Sequence, residues 1–143
     1  MSLDRHLDVQ QRVVEQLLQL LEQERMALAQ GRVDAERLRE LIAGKQAALL
    51  RLEQLEAVRA GAQLKLGYGP CKAGAVRAAQ EAGCLKAWRS MQQAARRARA
   101  LNQANGEALA LRLEGNRQIL DFLGRMTADR LYGPNGRPMA GTP

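Results

Sequence analysis

Histidine, cysteine and aromatic residues are scarce in this 143-residue chain, and each scarcity argues against a class of function. A single histidine, His6, provides no base with an orienting partner of the Ser-His-Asp kind. The two cysteines, Cys71 and Cys84, form neither a C-x-x-C pair nor a cluster with histidine, so they indicate no metal site. No phosphate-binding glycine motif occurs either. We therefore predict that the protein is not an enzyme and holds neither a metal nor another cofactor.

Long apolar runs are also missing. No stretch reaches the roughly 18 uncharged apolar residues that a membrane span needs. The first residues include Asp4, Arg5 and Asp8, which differ from the apolar core of a secretory signal peptide. We expect a cytoplasmic protein whose two cysteines are reduced.

Strand-forming patterns are absent as well, whereas the strong helix formers Leu, Ala, Gln, Glu and Arg are abundant. The sequence predicts an all-α protein: an elongated antiparallel helical bundle or coiled coil of three main helices, with a short helix or loop between the second and the third. Three of the four prolines fall in residues 133–143. We expect a single helical domain over residues 1–132 and a flexible tail at 133–143.

The first two helices are indicated by apolar residues that recur at steps of three or four. Gly31 is a plausible end of the first helix, and Asp34 a favoured N-cap of the second, with Val33 and Leu38 placed as a hydrophobic staple. Lys45 interrupts the second stripe, and its stem can lie along apolar surface with the ammonium group in water. The first stripe consists of Leu3, Leu7, Val14, Leu17, Leu21 and Leu28.

Residues 60–75 contain scattered glycines and predict a loop, followed by a short helical piece at 75–82. The third helix is expected at about 84–130. At about 1.5 Å per residue it is roughly 70 Å long, more than the first two helices can cover. A long apolar stripe with little protein to pack against is a candidate surface for a partner's helix.

Three asparagines, Asn102, Asn105 and Asn116, interrupt this third stripe. A seam asparagine weakens packing but fixes register, because its amide needs a hydrogen-bonding partner. The asparagines either set the alignment of the bundle or leave amides for a bound partner. The first part of the stripe is Leu85, Trp88, Met91, Ala95 and Ala98.

Charge is unevenly distributed along the chain. Residues 1–59 carry nine Lys and Arg against ten Asp and Glu, whereas residues 60–143 carry 13 against five. The basic half suits an acidic partner, protein or nucleic acid, although a solvated basic face is the simpler alternative. Nucleic acid is the less favoured partner, because only Trp88 accompanies the arginine cluster at residues 96–99 as an aromatic platform.

The chain resembles the FlgN-type flagellar export chaperones in nearly every part except about residues 60–84. No single motif is specific, but the joint order and spacing are. The residues that carry the resemblance are Asp34, Leu38, Leu41, Lys45, Leu49, Leu52 and Arg59, then Trp88, Asn102, Asn105-Gly106, Leu109, Leu113, Asn116 and Leu120, and finally Tyr132-Gly133-Pro134-Asn135-Gly136.

The resemblance implies a cytoplasmic all-helical chaperone of the flagellar type III export system. Such proteins bind the C-terminal helical segments of hook-filament junction (hook-associated) proteins and deliver them to the export machinery. In that family the client-binding surface is associated with the C-terminal part of the chain. Here the expected apolar contacts are Leu109, Leu113, Ile119, Leu120, Phe122, Leu123, Met126 and Tyr132, with rim charges at Arg112, Arg117 and Arg125.

Two alternatives remain open at this point. Each of these apolar residues could instead be buried in the protein's own bundle. The chain could also be a coiled-coil adaptor that forms a homo-oligomer through the same stripe and has no export client.

Overall fold

The computed structural model describes residues 2–131, without the side chains of Asn116, Leu120 and residues 127–131. Within this range it contains four α-helices and no strand: α1 (Leu3–Ala29), α2 (Ala35–Lys65), α3 (Lys72–Glu81) and α4 (Leu85–Leu131). The predicted all-α helical bundle, with a short helix between the second and third main helices, is confirmed. The backbone divides into two units, residues 1–105 and 106–143, which are described separately.

The first two helices begin at side-chain caps. Ser2 accepts a hydrogen bond from the backbone amide of Arg5 at 3.3 Å, and Asp34 accepts one from that of Arg37 at 3.1 Å. Each bond satisfies one of the amides that a helix N-terminus leaves without an intrahelical partner. The predicted N-cap at Asp34 is thus confirmed.

The segment between α2 and α3 is shorter than the sequence predicts. Helix α2 runs through Gly61 to Lys65, and α3 begins at Lys72, so a loop over 60–75 was too long a prediction. The buried Gln63 explains the difference, since its amide donates to the carbonyl oxygens of Gly69 at 2.7 Å and Cys71 at 3.0 Å. These bonds hold the last turns of α2 against the loop and offset the roughly 1 kcal/mol that Gly61 costs a helix.

Gly74 lets the loop approach α3 closely. A Cβ atom at this position would lie 2.2 Å from the backbone carbonyl oxygen of Tyr68, well inside van der Waals contact. Any side chain at residue 74 therefore displaces the loop backbone from the first turns of α3.

Side-chain bonds define the direction of α2 relative to α1. His6 Nε2 donates to the carbonyl oxygen of Leu55 at 2.8 Å near one end, and Lys45 Nζ bonds Glu24 at 3.1 Å near the other. Later residues of α1 thus contact earlier residues of α2, so the two helices are antiparallel, as their short link requires.

The first part of α4, up to Asn105, runs parallel to α1 and completes the core of the first unit. Leu7 of α1 packs in one cluster with Trp88 and Met91 of α4, and further along α1 the second cluster joins α1 to Ala94 and Ala98. Helix α3 contributes Ala75 and Ala79 to the first cluster, and the second also contains Val14, Leu17 and Leu21.

A polar layer joins α1, α2 and α4 beside the first cluster. Arg59 donates to Glu56 through Nε at 2.9 Å and Nη2 at 2.7 Å, and its guanidinium lies 4.8 Å from the centroid of the Trp88 ring. Gln10 also donates to Glu56, at 3.1 Å. Partial burial by itself would raise the pKa of Glu56, but the hydrogen bonds and charge of Arg59 outweigh it and lower the pKa below 4.5.

The two cysteines occupy different environments, and both are free thiols. Cys71 is exposed at the start of α3, whereas Cys84 is buried in the cluster around Trp88. Burial raises the pKa of the Cys84 thiol above its ordinary value.

Candidate partner-binding surface

In the first unit, the apolar side chains of α4 are used by the protein's own core. Trp88, Met91, Ala94 and Ala98 are all less than a tenth exposed. The predicted stripe ran through Ala95, whereas Ala94 takes the buried position and Ala95 is only half-buried. Small residues at 94 and 98 allow α4 to approach Val14 and Leu17 of α1 closely. The large apolar side chains of this part of α4 are therefore covered by the protein itself.

Asn105 ends the buried part of α4 and is only 3% exposed. Its amide donates to the carbonyl oxygen of Leu21 at 2.8 Å and to Glu24 at 2.9 Å. Glu24, also 3% exposed, forms an ion pair with the ammonium group of Lys45. The expectation that this ammonium group lies in water is therefore wrong. The buried carboxylate of Glu24 is stabilised by its two donors, Asn105 and Lys45. These bonds connect α1, α2 and α4 and align the three helices at this position.

The other two asparagines of the seam differ from Asn105. Asn102 is exposed, beside an apolar groove of about 280 Å³ that Leu17 and Leu52 also line. The side chain of Asn116 lies outside the described residues. The role of all three in setting register stays a prediction.

The second unit contains the opposite arrangement, because large apolar side chains of α4 are exposed there. Leu113 is 59% exposed, Ile119 58%, Phe122 54% and Met126 62%. Leu123 is 48% exposed and Leu109 is half-buried. These are the residues expected to contact a client. We call this set the client face: Leu109, Leu113, Ile119, Phe122, Leu123 and Met126.

Two further residues of the expected set lie outside this description. The side chain of Leu120 is not described, and Tyr132 falls beyond residue 131. Leu111, which the sequence did not single out, is 74% exposed and lies on the same helix. Its signal was available in the sequence, since it is eleven residues before Phe122 and thus three turns away on the same side of the helix.

Helical geometry relates the three expected rim charges to the client face. At about 100° per residue, Arg117 borders the edge at Leu113 and Arg125 borders the opposite edge near Phe122. Arg112 differs, because it lies seven residues before Ile119 and so falls within the apolar sector. Arg117 contacts Glu114 at 4.0 Å on the solvent side, an exposed pair worth little on its own.

The described residues contain neither a metal-binding cluster nor a membrane-spanning helix. Among residues 2–131, no group of three His, Cys, Asp or Glu side chains could hold a metal ion. None of the helices in that part of the chain combines the length and apolarity needed to cross a bilayer. Protein binding through an apolar helical surface is what the geometry of the second unit can provide.

Comparison with known proteins identifies a family. A family model described as FlgN protein matches residues 1–139, nearly the whole chain. No curated protein and no solved structure matches the chain significantly.

Proposed function

The chain belongs to the FlgN family of flagellar export chaperones, and from that premise we propose that it binds the C-terminal helical segments of hook-filament junction (hook-associated) proteins. In this proposal the chaperone acts in the cytoplasm, covers an aggregation-prone segment of each client and presents it to the flagellar export machinery. The binding surface is the client face on α4, together with Leu120 and Tyr132.

The observation that carries the proposal is the exposure of the client face. Leu113, Ile119, Phe122 and Met126 each leave about half or more of their surface in contact with water. Exposed large apolar residues that line one side of a helix are typical of a surface that a partner covers. Glu114 lies on the opposite side and Arg117 at the edge of the face, so the helix is amphipathic.

An amphipathic client segment suits this surface for a physical reason. An export client has to remain unfolded enough to pass a narrow channel, yet its apolar face has to be kept from other copies. When an amphipathic segment packs on a complementary helical face, both apolar surfaces leave water. Ordering the segment costs about 2–5 kcal/mol, so release remains easy.

Calorimetry with the full chain and a C-terminal segment of a hook-filament junction protein tests the proposal. We expect a complex that the I119S/F122S variant weakens about 100-fold. Complete burial of such a side chain is worth about 1.5–3 kcal/mol, and Ile119 and Phe122 have somewhat more than half of their surface left to bury on binding, so the two together contribute roughly 2–3 kcal/mol. The matched control is L50S/V58S, which removes two similarly exposed apolar side chains from α2. Equal weakening by both variants, or no complex with the parent chain, contradicts the proposal.

Sedimentation separates this function from self-association through the same face. A chaperone is expected to bind client in a complex that I119S/F122S disrupts. A dimer that persists at all concentrations and does not bind the client segment would instead identify a coiled-coil adaptor.

A further inference from the structure

A second surface lies in the first unit, between α3 and the first part of α4. It is a groove of about 670 Å³, and none of its residues belongs to the client face. We call it the basic groove, lined by Lys72, Ala73, Val76, Trp88, Arg89, Gln92, Gln93 and Arg96. Ala73 and Val76 give its lining apolar surface, and the lining also contains three cations, Lys72, Arg89 and Arg96.

Three cations of the groove, Lys72, Arg89 and Arg96, form no ion pair within the described part of the protein. Residues 72–99 contain seven Lys and Arg but one acidic residue, Glu81. Glu81 accepts a hydrogen bond from the Tyr68 hydroxyl. Across residues 2–131, no carboxylate pairs with Lys72, Arg89 or Arg96, although other cations of the chain form ion pairs. The groove therefore presents three cations without ion pairs beside the apolar side chains of Ala73 and Val76.

We propose that the basic groove binds an acidic segment of a partner protein. Arg89 and Arg96 are seven residues apart on α4, and Gln92 and Gln93 lie between them. Seven residues of helix rise roughly 10 Å, so carboxylates at that separation meet both guanidinium groups. A helical partner segment places two carboxylates about 10 Å apart when its acidic residues are seven positions apart. In an extended segment, acidic residues three positions apart have the same separation.

The lining of the groove favours a peptide over nucleic acid. Nucleic-acid grooves usually provide aromatic faces on which bases stack. Trp88 is the groove's aromatic residue, but it is 6% exposed and Arg59 lies over its ring at 4.8 Å. The amides of Gln92 and Gln93 can instead bond the polar groups of a peptide, and Val76 can contact its apolar side chains. Charge complementarity then determines specificity and the rate of association.

The test uses the full chain and a helical peptide of about 14 residues with glutamates seven positions apart and alanine and leucine between them. Trp88 is the chain's only tryptophan and lines the groove, so its fluorescence reports binding at this place. We expect peptide binding that shifts Trp88 fluorescence and weakens about tenfold or more in R89E/R96E, because two attractions become repulsions. A peptide with glutamine for glutamate is expected not to bind.

The matched control is R97E/R99E, which makes the same change in net charge on the same helix at exposed residues that do not line the groove. Circular dichroism verifies that both variants fold. Equal weakening in both variants, no binding by the parent chain, or binding without a Trp88 signal overturns the proposal. So does tighter binding of single-stranded DNA with the same dependence on Arg89 and Arg96.

The result is independent of the client proposal. R89E/R96E is expected to retain client binding, and I119S/F122S is expected to retain peptide binding in the groove.

Discussion

One helix, α4, contains two regions with opposite solvation. In the first region, Leu85–Asn105, Trp88 and Met91 are buried and alanines fill the close contacts with α1. In the second, from Gly106 to Met126, Ile119 and Phe122 are as apolar but more than half exposed. The comparison shows that an amphipathic pattern predicts a helix and the side of it to be covered. It does not predict whether the protein itself or a partner provides the cover.

The largest expected difference between the two regions comes from aromatic truncation. Trp88→Ala removes a side chain that is 6% exposed and leaves a cavity, so we expect a loss of about 3–5 kcal/mol in the free energy of unfolding. Phe122→Ala, at 54% exposure, should change it by less than about 0.5 kcal/mol. Chemical denaturation followed by circular dichroism measures both. Similar losses would show that Phe122 is also part of a core.

Asparagine truncation locates the end of the buried region. Asn105→Ala removes the donors to Leu21 and Glu24, and we expect a cost of about 1–3 kcal/mol in stability. Asn102→Ala, one turn earlier and exposed, should cost less than about 0.5 kcal/mol. The same denaturation experiment compares them, and equal costs would argue against a special role for the buried amide.

Glycine replacement should have opposite signs in the two units. Gly74→Ala places a methyl group against the Tyr68 carbonyl oxygen, so we expect a loss of about 1–3 kcal/mol. Gly115→Ala meets nothing within 4 Å in the middle of α4 and should stabilise that helix by about 0.5–1 kcal/mol. Thermal unfolding measures the first, and hydrogen exchange of the second unit measures the other. A destabilising Gly115→Ala would reveal a contact at that position.

The smallest expected effect is a pH dependence confined to the first unit. Because the pKa of Glu56 is lowered in the folded state, its contribution is fully present above pH 4.5 and is lost as the pH falls through the folded pKa. Glu56→Gln should therefore cost about 1 kcal/mol or less at neutral pH, and the difference from the parent chain should disappear in acid. Denaturation midpoints across pH 2–7 test this, and a difference that grows in acid contradicts it.

Local sequence signals predicted most of the fold. The cap at Asp34 and the three-and-four spacing of leucines fixed α1 and the start of α2, because these depend on residues within one or two turns. The glycine at 61 led to a wrong end for α2. The prediction was wrong because the hydrogen bonds from Gln63 to Gly69 and Cys71, which stabilise the last turns of α2, form only once the loop has folded back.

Tertiary pairing was beyond the reach of periodicity. Lys45 and Glu24 meet across two helices, and their charges gave no sign of each other in the sequence. The stripe of α4 was placed through Ala95 because helical spacing alone does not show which of two adjacent alanines faces α1. For the client face, the family resemblance indicated the residues, and helical spacing supported only some of them, such as Leu113 and Met126. Their exposure required the structure.

The two thiols differ in exposure, and this difference provides a way to measure local opening of the first unit. Cys71 is exposed and should react with an alkylating reagent at once, whereas Cys84 is enclosed beside Trp88 with a raised pKa. Alkylation of Cys84 then requires local opening of that cluster, so the alkylation rate measures how often this part of the core opens. Without any engineered label, the alkylation rate of Cys84 therefore reports whether a peptide bound in the basic groove stabilises the bundle of the first unit.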